Sequence, residues 1–146
     1  MKICFDLDGT LASLYSVPNW LECLRAEDTT PYEIADTMVN MNVLARRLNT
    51  LQRKGNKIVI ISWLAKCGSA DYDKAVTNAK MRWLGKHLAS VRFDEIHIVK
   101  YGVPKEQFAD CVDDILFDDE EKNRENWIGK AYDVDNILEV LKNLPL

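Results

Sequence analysis

An α/β fold built on an open parallel sheet is what this sequence predicts, and three observations predict it. Five short apolar runs recur along the 146 residues, each the length of one buried strand. Longer stretches with apolar residues at helical spacing lie between them. The first run ends in two alternate acids, where an open sheet of this kind presents ligands beyond the carboxyl ends of its strands.

The elements follow in order. Lys2 to Phe5 is the first strand. Residues 11–41 form an insertion that holds Pro18 and Pro31 and two short helix-like pieces, Asn19 to Arg25 and Pro31 to Met38, the second with Thr30 as its cap. Val43 to Lys54 is a helix with Val43, Leu44, Leu48 and Leu51 on one face, stopped by Gly55-Asn56. Lys57 to Ile61 is the second strand, and Ala70 to Leu88 a longer helix with Val76, Ala79, Met81, Trp83, Leu84 and Leu88 available to pack. Glu95 to Val99, Ile115 to Phe117 and Ala131 to Val134 supply the remaining strands, and Asn136 to Leu144 closes the chain as a helix. Such alternation, joined by right-handed crossovers, describes a Rossmann-like sheet flanked by helices.

Length and composition fit one domain over residues 1–146, with 47% apolar residues for its core. A net charge of −4 and an isoelectric point near 5.2 argue against a general nucleic-acid or membrane binder, while leaving room for a small local basic patch. Cys4, Cys23, Cys67 and Cys111 lack Cys-x-x-Cys or zinc-ligand spacing, and two of them fall in segments that read as buried. Asp6 interrupts the opening apolar residues before a signal peptide could form, and no run approaches a membrane span. The expectation is a soluble cytoplasmic protein.

Chemistry concentrates in Cys4-Phe5-Asp6-Leu7-Asp8-Gly9-Thr10. Alternate residues of a strand share a face, so Asp6 and Asp8 project together. At an effective dielectric of 20 and about 4 Å, two carboxylates repel by roughly 4 kcal/mol. The pair asks for a cation, a shared proton or full solvation.

This string resembles motif I of the haloacid dehalogenase-like (HAD) superfamily, an apolar strand followed by Asp-x-Asp-Gly-Thr. The resemblance implies that Asp6 is a nucleophile toward phosphorus and Asp8 a general acid and base, with Thr10 bonding locally to hold Asp8. It further implies sheet order 5-4-1-2-3 and a very small helical cap in residues 11–41. Ser62, after the second strand, resembles motif II and would bind a phosphate oxygen. Trp63 beside it either stacks on a base or sugar of the substrate or packs against the cap.

Lys105 resembles the motif III lysine, with Lys100 as the competing choice; Pro104 would start a helix and set Lys105 near its phosphate-facing turn. Asp118-Asp119 resembles motif IV. Aligned with the family's Gly-Asp form, Asp119 becomes the direct Mg²⁺ ligand with Asp118 behind or beside it, the reverse staying open, and Asp6 and the Asp8 carbonyl complete the protein donors. Asp113-Asp114, at the opposite strand end, reads as a solvated loop.

The tail Asp118 to Asn123 resembles the deoxyribonucleotidase-like branch and short phage or bacterial HAD proteins, as do Trp83-Leu84 and Tyr101-Gly102. Trp20, Trp83 and Trp127 read as packing residues, and His87 and His97 are too separated for a metal site. What the resemblance implies is a Mg²⁺-dependent phosphomonoester hydrolase acting through an aspartyl-phosphate on a nucleotide or other small phosphorylated substrate. The alternatives are a nucleic-acid end phosphatase and a non-catalytic binding module. An open site also leaves room for completion by a neighbouring subunit in an oligomer.

Overall fold

Five strands pair in parallel in the computed structural model, which describes residues 1–145. They are β1 (Lys2–Phe5), β2 (Lys57–Trp63), β3 (Glu95–Val99), β4 (Ile115–Phe117) and β5 (Ala131–Tyr132), in spatial order β3-β2-β1-β4-β5. This is the expected order, with the first strand at the centre. Its register sets Phe5 opposite Ile60 on one side and Phe117 on the other.

Alternation along β1 explains why the central strands are apolar throughout. Ile3 and Phe5 face one core with Ile58, Ile60, Ile115 and Phe117. That face is covered by α3 (Met41–Arg53), the end of α4 (Ala70–His87) and the helix Ile137–Lys142, through Leu44, Leu48, Trp83, Leu84, Ile137 and Leu141. Cys4, Val59, Ile61 and Leu116 point the other way and are covered by Trp127 and Phe108. A strand buried on both faces has no polar positions to alternate with.

The insertion between β1 and α3 carries α1 (Trp20–Arg25) and α2 (Thr30–Ile34). It is tied down by hydrogen bonds from Trp83 Nε1 to the Ala35 carbonyl (2.8 Å), from Tyr72 Oη to the Asp28 carbonyl (3.1 Å), and from Ser69 Oγ to Glu27 (2.6 Å). The last short helix of this region differs from expectation. Asp28 accepts from the Thr30 amide and hydroxyl, so Thr30 lies inside α2 and Asp28 satisfies its first turn. The helix ends at Ile34 because Thr37 leaves to bridge Ala12.

Three further boundaries move. β2 runs on to Trp63, since β3 pairs with it through Trp63↔Val99. β5, an edge strand with one partner, stops at Tyr132, and Val134 enters a 3₁₀ turn capped by Asp133. Pro104 precedes a 3₁₀ turn over Lys105–Phe108, not an α-helix. Asp114 is also not solvated: it is 1% exposed, and its carboxylate accepts from the amides of Lys2 (2.7 Å), Asp110 (2.7 Å) and Cys111 (3.2 Å).

Of the cysteines, only Cys4 is buried, Cys23 is half-buried, and all four are free thiols. No helix among the described residues is long and apolar enough to cross a membrane.

Candidate active site

The carboxyl ends of β1, β2 and β4 converge on one buried cluster. Asp6 continues the line of β1, its amide donating to the Phe117 carbonyl (2.9 Å), and is 6% exposed. The chain then turns over Leu7, whose carbonyl accepts from the amides of Thr10, Leu11 and Ala12. Gly9 makes this turn with φ +79°, and a Cβ there would lie 2.5 Å from Asp119 Oδ2. Glycine is required twice over, for the backbone angle and for room beside the acid.

Thr10 does not hold Asp8 as expected. Its hydroxyl donates to Asp6 Oδ2 (3.1 Å) and reaches Asp119 Oδ1 (3.4 Å), because the tight turn folds it back over Asp6.

Lys105 is 2% exposed and bridges Asp6 Oδ1 (2.9 Å) and Asp118 Oδ2 (2.8 Å), while Lys100 is exposed to solvent. Burial lowers the Lys105 pKa, but Asp6 and Asp118 outweigh it and hold the ammonium above its ordinary value. Asp118 is held by two further bonds: Oδ2 also accepts from Asn123 Nδ2 (3.1 Å) and Oδ1 from the Glu120 amide (2.9 Å). Among the described residues, the one side-chain hydrogen bond of Asp119 is the long Thr10 contact. Burial, then Asp6, push the Asp119 carboxyl above the ordinary carboxylate range, and the same two causes raise that of Asp118.

Sequence reasoning missed Lys80. It projects from α4, is 1% exposed, and contacts Asp8 Oδ2 (2.9 Å), Ser62 Oγ (2.8 Å) and the Trp63 carbonyl (2.6 Å). Burial raises the Asp8 carboxyl, with Lys80 the largest opposing influence. The signal was present: position 80 lies four residues after Val76 and four before Leu84, on the buried stripe of the helix, where a lysine needs a partner. Ser62 is itself fully buried, because β2 extends past it, and its hydroxyl accepts from Lys80 instead of standing in an exposed loop.

A cavity of about 530 Å³ opens above the cluster. Asp6, Asp8, Lys105, Asp118 and Asp119 form its floor, and Tyr15, Trp20, Tyr32, Trp63 and Tyr101 are among its walls. Trp20 is thus half-buried wall, whereas Trp83 and Trp127 are buried packing residues. Trp63 is fixed by donating from Nε1 to the Val103 carbonyl (2.8 Å), with its ring 5.0 Å from Tyr101. His87 and His97 sit elsewhere, against Trp83 and Phe108 respectively.

Asp6, Asp118 and Asp119 each offer a carboxylate oxygen within 4.8 Å of the others. Asp6, Asp8, Asp118 and Asp119 face two buried ammonium groups, so four carboxylates minus two lysines leave two uncompensated negative charges when all are ionised. An oxygen-only cluster with that deficit suits a small hard divalent cation.

No family model and no curated protein matches the chain. Solved structures do. A D,D-heptose 1,7-bisphosphate phosphatase from Burkholderia thailandensis aligns with TM-score 0.52 and 17% identity over 85% of this chain and 69% of that one. A chain of a Pnkp1/Rnl/Hen1 complex aligns with TM-score 0.56 and 19% identity over 91% of this chain and 45% of that one. The chain therefore spans less than half the length of the second structure. What these likenesses share with the chain is a fold, a parallel α/β sheet; here it has a central β1, the order β3-β2-β1-β4-β5, and acids at the ends of β1 and β4.

Proposed function

We propose that the protein is a Mg²⁺-dependent phosphomonoester hydrolase acting on a small monoester with an aromatic or nucleoside leaving group. One observation carries the reading: Asp6 is held between Lys105 and Thr10 at the base of the cavity, beside two further acids from β4. Asp6, Asp119 and the Asp8 carbonyl would hold the metal, with Asp118 beside them locking Lys105. Mg²⁺ bound there supplies charge neutralisation for the phosphoryl oxygens.

In the first step a carboxylate oxygen of Asp6 bonds to phosphorus while the ester P–O bond breaks, and Asp8 gives its proton to the departing oxygen. In the second, water attacks the aspartyl-phosphate, Asp8 takes the water's proton, and the Asp6 carboxylate is released with inorganic phosphate. The raised Asp8 carboxyl suits the acid role in the first half. Lys105 balances charge on Asp6 and offers a cation to the phosphoryl group. Trp63 and Tyr101 give the leaving group a flat wall.

Phosphate release from a panel of nucleoside, sugar and aryl monophosphates with Mg²⁺ tests this reading. We expect turnover on at least one, and loss of it beyond about 10⁴-fold in Asp6→Asn with an unchanged circular-dichroism spectrum. A silent panel, or an active Asp6→Asn, rejects it. A second reading, a phosphorylated nucleic-acid end as substrate, draws support from exposed Arg25 and Lys66 on the cavity lining. Preference for a 5′- or 3′-phosphorylated oligonucleotide over the matching mononucleotide separates the two.

A further inference from the structure

Lys80 lies outside the roles assigned above, yet its surroundings are as constrained as those of Lys105. An ammonium has three N–H donors. Lys80 has three acceptors at 2.6 to 2.9 Å, Asp8 Oδ2, Ser62 Oγ and the Trp63 carbonyl, and the Tyr32 ring lies 5.3 Å from its nitrogen. With two hydrogen bonds, an ion pair and 1% exposure, Lys80 is committed within the protein and turned away from a substrate. Its cation is not a free phosphate contact.

The three acceptors divide by origin. Ser62 and Trp63 belong to the last residues of β2, an interior strand paired on both edges, whereas Asp8 stands in the turn after β1. The serine and the carbonyl are therefore the mount and Asp8 is the load. Asp8 Oδ2 is the oxygen bound to Lys80, which leaves Oδ1 for proton exchange. Ser62 does not line the cavity and makes no other side-chain hydrogen bond among the described residues, so its hydroxyl serves the lysine.

We propose that Lys80, anchored by Ser62 and the Trp63 carbonyl, is a positioning residue that fixes the Asp8 carboxylate for proton transfer to the leaving oxygen. This rests on the phosphomonoesterase reading. It assigns Ser62 to the proton-transfer apparatus through Lys80, in place of direct phosphate binding. The two buried lysines then split the work: Lys105 holds the nucleophile and its neighbouring acid, and Lys80 holds the proton donor.

A leaving oxygen that is a good anion needs no proton, and a poor one does. The test compares kcat/KM, which reports the first phosphoryl transfer, on 4-nitrophenyl phosphate and on 2-phenylethyl phosphate for the wild type, Lys80→Met and Ser62→Ala. General acid catalysis contributes about 10²–10⁴-fold, so Lys80→Met is expected to lose at least about 30-fold more on the alkyl ester than on the aryl ester. Ser62→Ala should shift the same ratio in the same direction, with KM for 4-nitrophenyl phosphate within about twofold of wild type.

Equal losses on both esters, or a KM rise in Ser62→Ala with no change in the ratio, overturn the proposal. Removing one partner of a buried pair can unfold a protein, so Asp8→Asn/Lys80→Met, which removes both charges, is measured against Asp8→Asn. Matching activity supports action through Asp8, and a further loss beyond tenfold refutes it. A wild type inactive on both esters and across the wider panel brings down the phosphatase reading and this one with it; equal losses in an active enzyme bring down this one alone.

Discussion

Gly9 shows how narrow the tolerances are at single positions. Its φ of +79° and the mere 2.5 Å that would separate an added methyl from Asp119 Oδ2 combine in one residue. Gly9→Ala should cost about 1–2 kcal/mol in backbone strain and, by displacing Asp119, lower Mg²⁺-dependent turnover by at least about tenfold. Gly55→Ala is the control: φ is +96° but nothing lies within 4 Å, so thermal unfolding should report a similar strain with activity unchanged. At this scale the acids were readable from sequence, because Asp6, Asp8, Asp118 and Asp119 all follow apolar strands directly. Lys80 was not. Helical spacing shows that its position is buried, but only the packing of α4 shows that its ammonium reaches Asp8, 72 positions earlier in the chain.

Among the elements, the strands were legible and their edges less so. β1, β3 and β4 begin and end where their apolar runs do, while β5 is cut to two residues because one neighbour cannot sustain the pairing that the sequence suggests. Asp114 was misread for a related reason: as the residue before β4 it looks like a loop acid, yet the start of β1 aims the Lys2 amide at it across the sheet. Asp114→Ala strands three backbone donors and should destabilise the fold by about 2–4 kcal/mol in urea denaturation. The acid carries a pH signature as well. Burial raises its pKa, but the three amides outweigh it and leave the carboxyl below its ordinary value. Its contribution should be complete above the ordinary carboxylate pKa of about 3.9 and fade as pH falls through the lower folded value, so wild type and Asp114→Asn converge in stability in strong acid.

For the molecule as a whole, the uncompensated charge at the site couples function to stability. Asp6, Asp118 and Asp119 bring carboxylate oxygens within 4.8 Å of one another, and a divalent cation bound there would relieve their repulsion and stabilise the fold. Mg²⁺ at 100 times its Kd adds about 2.7 kcal/mol, which for this length raises Tm by roughly 5–10 °C. Asp119→Asn should unfold at a higher temperature than metal-free wild type and lose the Mg²⁺ response; a variant that keeps the full shift removes Asp119 from the metal site. The net charge of −4 did not foretell this. A whole-chain sum is blind to where charges meet.

Placing the earliest strand in the middle of the sheet has a consequence for biosynthesis. β1 finds β2 within some fifty residues, but its other edge waits for β4, whose pairing joins Ile3 to Ile115. A nascent chain that has emerged only as far as residue 110 thus exposes an apolar strand with one open side, the sort of edge that invites intermolecular association. The interval between synthesis of β2 and synthesis of β4 is when this polypeptide most needs a chaperone.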